Sequence, residues 1–501
     1  MIDAYLLTLL VFSPLLGIIA LLFVQREQAN VLKTIGIVAT LLPFVLSLVL
    51  FITFDFGEQG FQFVHQMPWI EFVIAEDLAL DIHYELGADG LSVALILLTT
   101  IVTTLAALAS LYIKQRLKEY FILFLILEIG MLGVFTAKNL LLFFIFFELT
   151  VIPLFFLIAI AGYIHREKAA ISFLIYNGIG SAVMLIAFAV MFMYTGTVHI
   201  DALAEAFAHP DWSTAFKTGL FLALLFAFGV KLPIFPLHSW MLKVHVQAHP
   251  AVVMIHSGIL LKLGAYGLIR LGLGIFPEQV AQLSFLIAIL GVLNILYGAV
   301  LAFVQEDLKM VMAYSSVSHM GIVLLGIAAL NDSGLQGAIF QTISHGLISA
   351  LLFFIIGMIY ERTQTSMIAD LGGLAKSMPI TSGVFLAAAL ANLGLPGMSG
   401  FISEFMSFLG LFGAYPWVAA VGVLGIILTA VYLLRAILNT TFGPAKEKWS
   451  ELIDAKGFEV LPLAVLLGLI ILIGVYPSIL GDTIHGSVDY IVQSLTARTG
   501  G

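Results

Sequence analysis

The chain has 501 residues, 61 % of them hydrophobic and 10 % charged, with a formal net charge of -9 and no cysteine. Soluble globules carry about a quarter charged residues, so an ordinary soluble fold is excluded. Long apolar runs from end to end predict an all-α polytopic membrane protein. Without cysteine there are no disulfides, cysteine-ligated iron–sulfur clusters or thiolate metal sites. The acidic balance is spread over loops and offers no nucleic-acid surface. No dinucleotide or P-loop fingerprint is present; Gly272 and Gly274 form an isolated Gly-x-Gly at a helix end. Any redox or nucleotide chemistry therefore falls to other chains, and no cofactor is expected on this one.

Asp3 precedes the first apolar run, where a cleavable signal carries positive charge, so this run reads as a permanent span. Hydropathy predicts about fourteen spans: 4–24, 34–53, 91–113, 120–137, 139–161, 169–195, 218–246, 251–273, 280–303, 309–330, 335–360, 380–411, 417–441 and 459–480. With the N-terminus outside, the alternation puts 14 Lys and Arg on the cytoplasmic side and 4 outside (Lys138, Lys217, Arg270, Arg498). That asymmetry predicts external termini in a multi-pass protein of the cell (inner) membrane. Between spans two and three, segment 54–90 carries eight acids and no Lys or Arg. It reads as a solvated external loop with a hairpin around Trp69–Ile74. Segment 442–458 mixes both charges and reads as a cytoplasmic helix or loop. No long lateral helix is predicted after residue 480.

Two spans are too long and contain proline: Phe228–Trp240 (FGVKLPIFPLHSW) and Asn392–Glu404 (NLGLPGMSGFISE). Proline removes a backbone donor, and at membrane depth the freed carbonyls need protein or water around them. The breaks occupy matching places in two five-helix blocks, 120–273 and 280–441, flanked by an N-terminal unit 1–119 and a C-terminal unit 442–501. Five is odd, so the second block is inverted relative to the first. Paired broken helices in an inverted repeat point to a transport pathway; two incidental proline kinks are the plainer alternative.

Four charges lie within apolar runs: Glu148, Lys231, Lys262 and Glu404. A full charge in hydrocarbon costs several kcal/mol, and intramembrane ionisable residues are functional candidates by default. Lys262 is near mid-span, about 16 Å from either helix end at 1.5 Å per residue, beyond snorkelling range. Glu148 follows a phenylalanine-rich run, and Lys231 is its expected partner; a static ion pair that only orients helices is the alternative. His319 and His345 are placed to bridge Lys262 and Glu404, since histidine titrates near neutral pH. Hydrogen-bonded core histidines are the alternative there. Tyr314, Ser315, Ser316 and Ser318 are candidates to hold water beside His319. Glu128 ranks lower, equally readable as a packing carboxylate with a local hydrogen bond. His238, His245, His249 and His256 would share a face on a continuous helix, but Pro250 interrupts it. Solvated or capping histidines at the cytoplasmic rim are the expectation, with a haem or metal site as the weaker reading.

Several stretches carry a family likeness: Gly87–Ser92 (GADGLS), Phe147–Pro153 (FELTVIP), Lys231–Trp240 (KLPIFPLHSW), Leu260–Arg270 (LLKLGAYGLIR) and Asp307–Gly321 (DLKMVMAYSSVSHMG). In these, and in their order along nearly the whole chain, the protein resembles the antiporter-like subunits of respiratory NADH dehydrogenase (complex I), M type. The resemblance implies fourteen helices with two inverted repeats, Glu148 and Lys231 as the buried pair, Lys262 as the central lysine, and His319 and His345 at the connecting positions. It also implies Glu404 as the terminal carboxylate, where L-type, N-type and sodium/proton antiporter relatives carry lysine. One departure is Trp240-Met241-Leu242-Lys243, which lacks the family's proline; His249 and His256 are others. The expected function is proton translocation driven by redox chemistry on other subunits, with neighbouring membrane subunits of complex I, the lipid bilayer and protons as partners. The alternatives are a subunit of a multisubunit sodium/proton antiporter or of a hydrogenase-linked complex, a haem or metal redox protein, and a structural spacer.

Overall fold

The computed structural model describes residues 2–75 and 78–499. Glu76 and Asp77 of the acidic loop lie outside them, as do the side chains of Asp3 and Asp81. Helices α1 (Ile2–Phe12) and α2 (Pro14–Phe23) form the first span, followed by α3 (Ala29–Thr53), strands β1 (Gln62–Ala75) and β2 (Leu78–Ala88), and α4 (Gly90–Ala109). Next come α5 (Leu117–Thr136), α6 (Leu140–Ala161), α7 (Arg166–Thr195) and the short α8 (Ile200–Ala208). The first broken span is α9 (Thr214–Lys231) with α10 (Ser239–Gln247). Segment 250–273 contains α11 (Pro250–Ile255) and α12 (Leu261–Gly267), with π-helical turns at His256–Leu260 and Leu268–Leu273. Then follow α13 (Pro277–Val304), α14 (Leu308–Ala328), α15 (Asp332–Thr363), the broken pair α16 (Pro379–Asn392) and α17 (Ser399–Ala414), α18 (Pro416–Ile437), α19 (Val460–Val475) and α20 (Ser478–Thr499). Among the described residues thirteen helices are long and apolar enough to cross a membrane, and α16 with α17 supplies two shorter apolar halves. The interrupted span is fourth of five both in 117–273 and in 277–442.

Helix starts follow local chemistry. Asp89, Asn139, Asp307 and Asn331 each accept a hydrogen bond from a backbone N–H of the first turn of α4, α6, α14 and α15. Such caps satisfy donors that a helix leaves unpaired. Burial then sorts the helices. Segment 250–273 and α15 are interior along their whole apolar length, whereas only 28 % of the α3 window and 33 % of the α18 window are covered. The peripheral helices turn side chains such as Phe23, Ile186 and Trp417 outward, as lipid allows. The two innermost helical segments carry Lys262 and His345, so the fold places these groups at its centre.

Two expectations are corrected here: the extent of the hairpin and the solvated state of the acidic segment. The hairpin spans 62–88 rather than Trp69–Ile74 alone, and it is docked rather than free. Thr8 Oγ1 bonds His65 and Tyr84, and Glu85 pairs with Lys138 at 3.1 Å and with His199 at 2.8 Å. Asp89 likewise pairs with Arg270 at 2.6 Å, so the acidic segment is only partly a solvated face. Hydropathy does not foresee α20, a 22-residue helix that begins at Ser478 and is not a long lateral helix. It lies along α4, α15 and α13 of its own chain through buried Leu480, Ile484, Val488 and Leu495. Segment 442–458 takes the loop alternative, with two short 3-10 turns, and Asp454 there accepts the Ile380 and Thr381 N–H groups that open α16.

Candidate functional site

The first break is built by replacing what proline removes. Pro233 has no N–H, so Ile234 N reaches back to Gly229 O at 2.8 Å. Val230 O is taken by Trp240 Nε1 at 3.1 Å. Asn294 of α13 accepts from Phe235 N at 2.7 Å and donates to Pro233 O at 3.3 Å. Every buried carbonyl at membrane depth needs such a partner. The missing family proline at Trp240–Lys243 leaves α10 continuous from Ser239 to Gln247.

Lys231 closes α9, almost fully buried. Its Nζ donates to Thr150 Oγ1 at 3.3 Å and lies 4.7 Å from the Phe147 ring centroid and 5.8 Å from that of Phe173. The aromatic faces supply cation–π attraction. Glu148 is half-buried, with Oε1 lacking a hydrogen-bond partner. Among the described residues no ion pair within 4.0 Å joins it to Lys231, so the expected direct contact is open here. The reason is helical phase: Phe147 and Thr150, three apart, share the face toward Lys231, and Glu148 is turned about 100° from Phe147.

Lys262 is completely buried. Its Nζ donates to Ser257 O at 2.7 Å, inside the widened turn His256–Leu260, and meets His345 Nδ1 at 2.7 Å. Among the described residues no carboxylate touches it. The His345 and His319 rings stand 5.6 Å apart, centroid to centroid. His319 Nδ1 lies 3.5 Å from Glu404 Oε1, and Gln341 Nε2 reaches the same nitrogen at 3.2 Å. Gln341 is in turn held by Ser403, next to Glu404. The second break shapes this end. Gly394 has φ +77°, and a Cβ there would sit 2.6 Å from Glu404 Oε2, so glycine leaves room for the carboxylate.

Lys262, His345, His319 and Glu404 thus form one interior file, and Lys231 stands apart from it at the end of α9. The hydroxyls expected beside His319 are engaged elsewhere: Ser315 accepts from Tyr432 and Asn392, Ser318 donates to Ile295 O, and Ser316 to Met312 O. Glu128 is fully buried, and among the described residues both its carboxylate oxygens lack a partner, so the expected local hydrogen bond is not seen there. The four other histidines are buried rather than solvated, His249 caps α11 as the capping reading expects, and among the described residues the four do not converge on one point. His238 stacks on Phe235 and meets Tyr297 edge-on, His249 Nδ1 accepts from Ala251 N, and His245 Nε2 meets His256 Nδ1 at 2.9 Å. Among the described residues, three potential metal ligands come within 4.8 Å of one another only at Asp332, His485 and Asp489. Sequence reasoning missed Gln341 and Asn294. Each is an amide inside an apolar helix, and that placement was the available signal.

A multi-pass all-α membrane protein with a file of interior ionisable side chains is the class these observations define. The chain belongs to the family described as "NADH:quinone oxidoreductase/Mrp antiporter, TM", whose model matches residues 137–429. It is 40 % identical over 509 residues to NADH-quinone oxidoreductase subunit M of Rhodobacter capsulatus, covering 99 % of this chain and 98 % of that one. NAD(P)H-quinone oxidoreductase chain 4 of Acaryochloris marina is 38 % identical, covering 95 % and 90 %. Among solved structures, a chain of respiratory complex I from Thermus thermophilus with bound NADH superposes with a TM-score of 0.87 at 30 % identity, covering 98 % and 99 %. The Mrp complex from Dietzia sp. DQ12-45-1b shares the fold, with a TM-score of 0.84 at 20 % identity and 99 % of each chain covered.

Proposed function

We propose that this chain is the M-type proton-translocating subunit of a membrane-bound NADH:quinone oxidoreductase, working beside other antiporter-like subunits and carrying no redox centre itself. The relatives' names and the whole-length likeness to a complex I chain support the assignment. The observation that carries the mechanism is the contact of Lys262 Nζ with His345 Nδ1 at 2.7 Å, continued through His319 to Glu404 at 3.5 Å. In this reading a partner-driven shift moves Glu148 toward or away from Lys231. An approaching carboxylate favours the charged lysine and a receding one favours release. Lys231 then exchanges a proton with Lys262, and the proton leaves by His345, His319 and Glu404. The groups titrate together rather than singly. Blocks 120–273 and 280–441 act as an inverted pair, and both termini face outward from the cell membrane. A carboxylate at 404 favours this over the sodium/proton antiporter reading, whose members carry lysine there.

The test is the assembled enzyme with Lys231→Ala or Glu148→Ala. Each is expected to abolish proton pumping and to depress NADH–quinone turnover. Wild-type pumping by an assembled Lys231→Ala complex refutes the role.

A further inference from the structure

The path just proposed leaves a gap between Lys231 and Lys262, since among the described residues no hydrogen bond links them. His256 lies in that gap. It opens the π-helical turn that also contains Ser257, the residue whose carbonyl holds Lys262. Single π turns inside α-helices recur at functional sites. His256 Nδ1 meets His245 Nε2 at 2.9 Å, and each residue is 1 % exposed. The outer nitrogens, His256 Nε2 and His245 Nδ1, are buried without hydrogen-bond partners among the described residues. Buried polar atoms are usually paired, so two open nitrogens at opposite ends of one imidazole pair call for an explanation.

The surroundings link the pair to both lysines. The Phe173 ring lies against His256, centroids 6.3 Å apart, and also 5.8 Å from the Lys231 ammonium and 5.5 Å from the Trp240 ring. Ser257, next to His256 in the same turn, ties the pair to Lys262 through its carbonyl. Trp240, whose indole N–H holds the carbonyl of the first break, packs edge-on against His256 at 5.3 Å. A change in the broken helix is therefore transmitted to the ring.

We propose that His256 and His245 form a two-imidazole relay that passes protons between Lys231 and Lys262. A proton arriving at His256 Nε2 is matched by transfer of the Nδ1 proton to His245 Nε2 and by release of a proton from His245 Nδ1. One proton enters, one leaves, and no electrons move. Both rings end in the other tautomer, and a ring flip or a return proton resets them. The inference rests on the proton-translocating reading above.

The experiment compares His256→Gln and His256→Leu in the assembled complex, with Lys262→Met as reference. Glutamine keeps a hydrogen bond to His245 but cannot titrate; leucine removes both properties. Both variants are expected to slow coupled turnover by about a hundredfold or more, the lower end of what positioned proton transfer contributes, and to alter the pH profile of turnover. Restoration of wild-type rate and pH profile by glutamine overturns the relay, as does slower turnover with a wild-type profile, because both describe packing. If the leucine variant does not assemble, the glutamine variant alone decides in the same way. Loss of pumping in Lys262→Met beside wild-type His256→Gln removes the relay and keeps the broader reading. Wild-type pumping in Lys262→Met removes both.

Discussion

Replacing Lys262 with methionine separates what the lysine does for folding from what it does for transport. Methionine has a similar length and no charge. The substitution removes two hydrogen bonds from an ammonium, to Ser257 O and His345 Nδ1, both at 2.7 Å. Such charge-assisted bonds contribute about 1.5–3 kcal/mol each, or roughly 3–6 kcal/mol together. It also removes a fully buried ammonium that no carboxylate touches among the described residues. Effective desolvation of one buried ion costs several kcal/mol, comparable with those bonds. Opposing terms of similar size leave a net change within about 2 kcal/mol in either direction. The assembled complex is therefore expected to keep its yield and thermal stability while losing proton pumping in proteoliposomes. Native electrophoresis and thermal unfolding read the first property, and a pH-sensitive dye with NADH and quinone reads the second. Severe loss of assembly would refute the energetic argument. Intact pumping would refute the assignment of Lys262 to proton transfer.

Other outcomes follow from neighbouring geometry. Gly394→Ala pushes a Cβ to 2.6 Å from Glu404 Oε2 at a φ of +77°. It is expected to displace that carboxylate, at a cost of about 1–3 kcal/mol in strain, and to slow turnover more than the equivalent change at Gly383, which meets nothing within 4 Å. Equal effects would contradict the crowding argument. Asn294→Leu removes both clamps on the first break and is expected to destabilise the chain by about 1–3 kcal/mol per stranded polar group, read as a lower unfolding temperature; an unchanged temperature contradicts it. On the hairpin, burial pushes the Glu85 carboxyl up, but His199 and Lys138 outweigh it and hold the group below its ordinary value. A depressed folded value means the contribution is full above about pH 4.3 and fades as pH falls through the folded value. Protection factors of the amides in β1 and β2, which correct for the intrinsic exchange rate, should fall in that acid range, and Lys138→Met should lessen the dependence.

Much of this architecture was legible because lipid imposes a simple rule: apolar length gives the spans, and proline within them gives the breaks. The file Lys262, His345, His319 and Glu404 was readable for the same reason, since each is an ionisable group where hydrocarbon should be. Phase was not readable. Nothing in a uniformly phenylalanine-rich run says that Phe147 and Thr150 face Lys231 while Glu148 turns aside. Helix α20 was overlooked because Asp482, His485 and Asp489 lower its hydropathy, although Leu480, Ile484 and Val488 recur at helical spacing. The histidines at 245 and 256 come together only because the chain turns at Pro250, a tertiary contact that spacing along a straight helix misplaces.

The central claim is that protons move along the interior ionisable groups of this chain. The most direct measurement is the number of protons released per NADH oxidised in proteoliposomes by the assembled complex carrying Glu404→Gln. A ratio below wild type, or turnover arrested altogether, is the result the account predicts. A wild-type ratio at wild-type rate would contradict it.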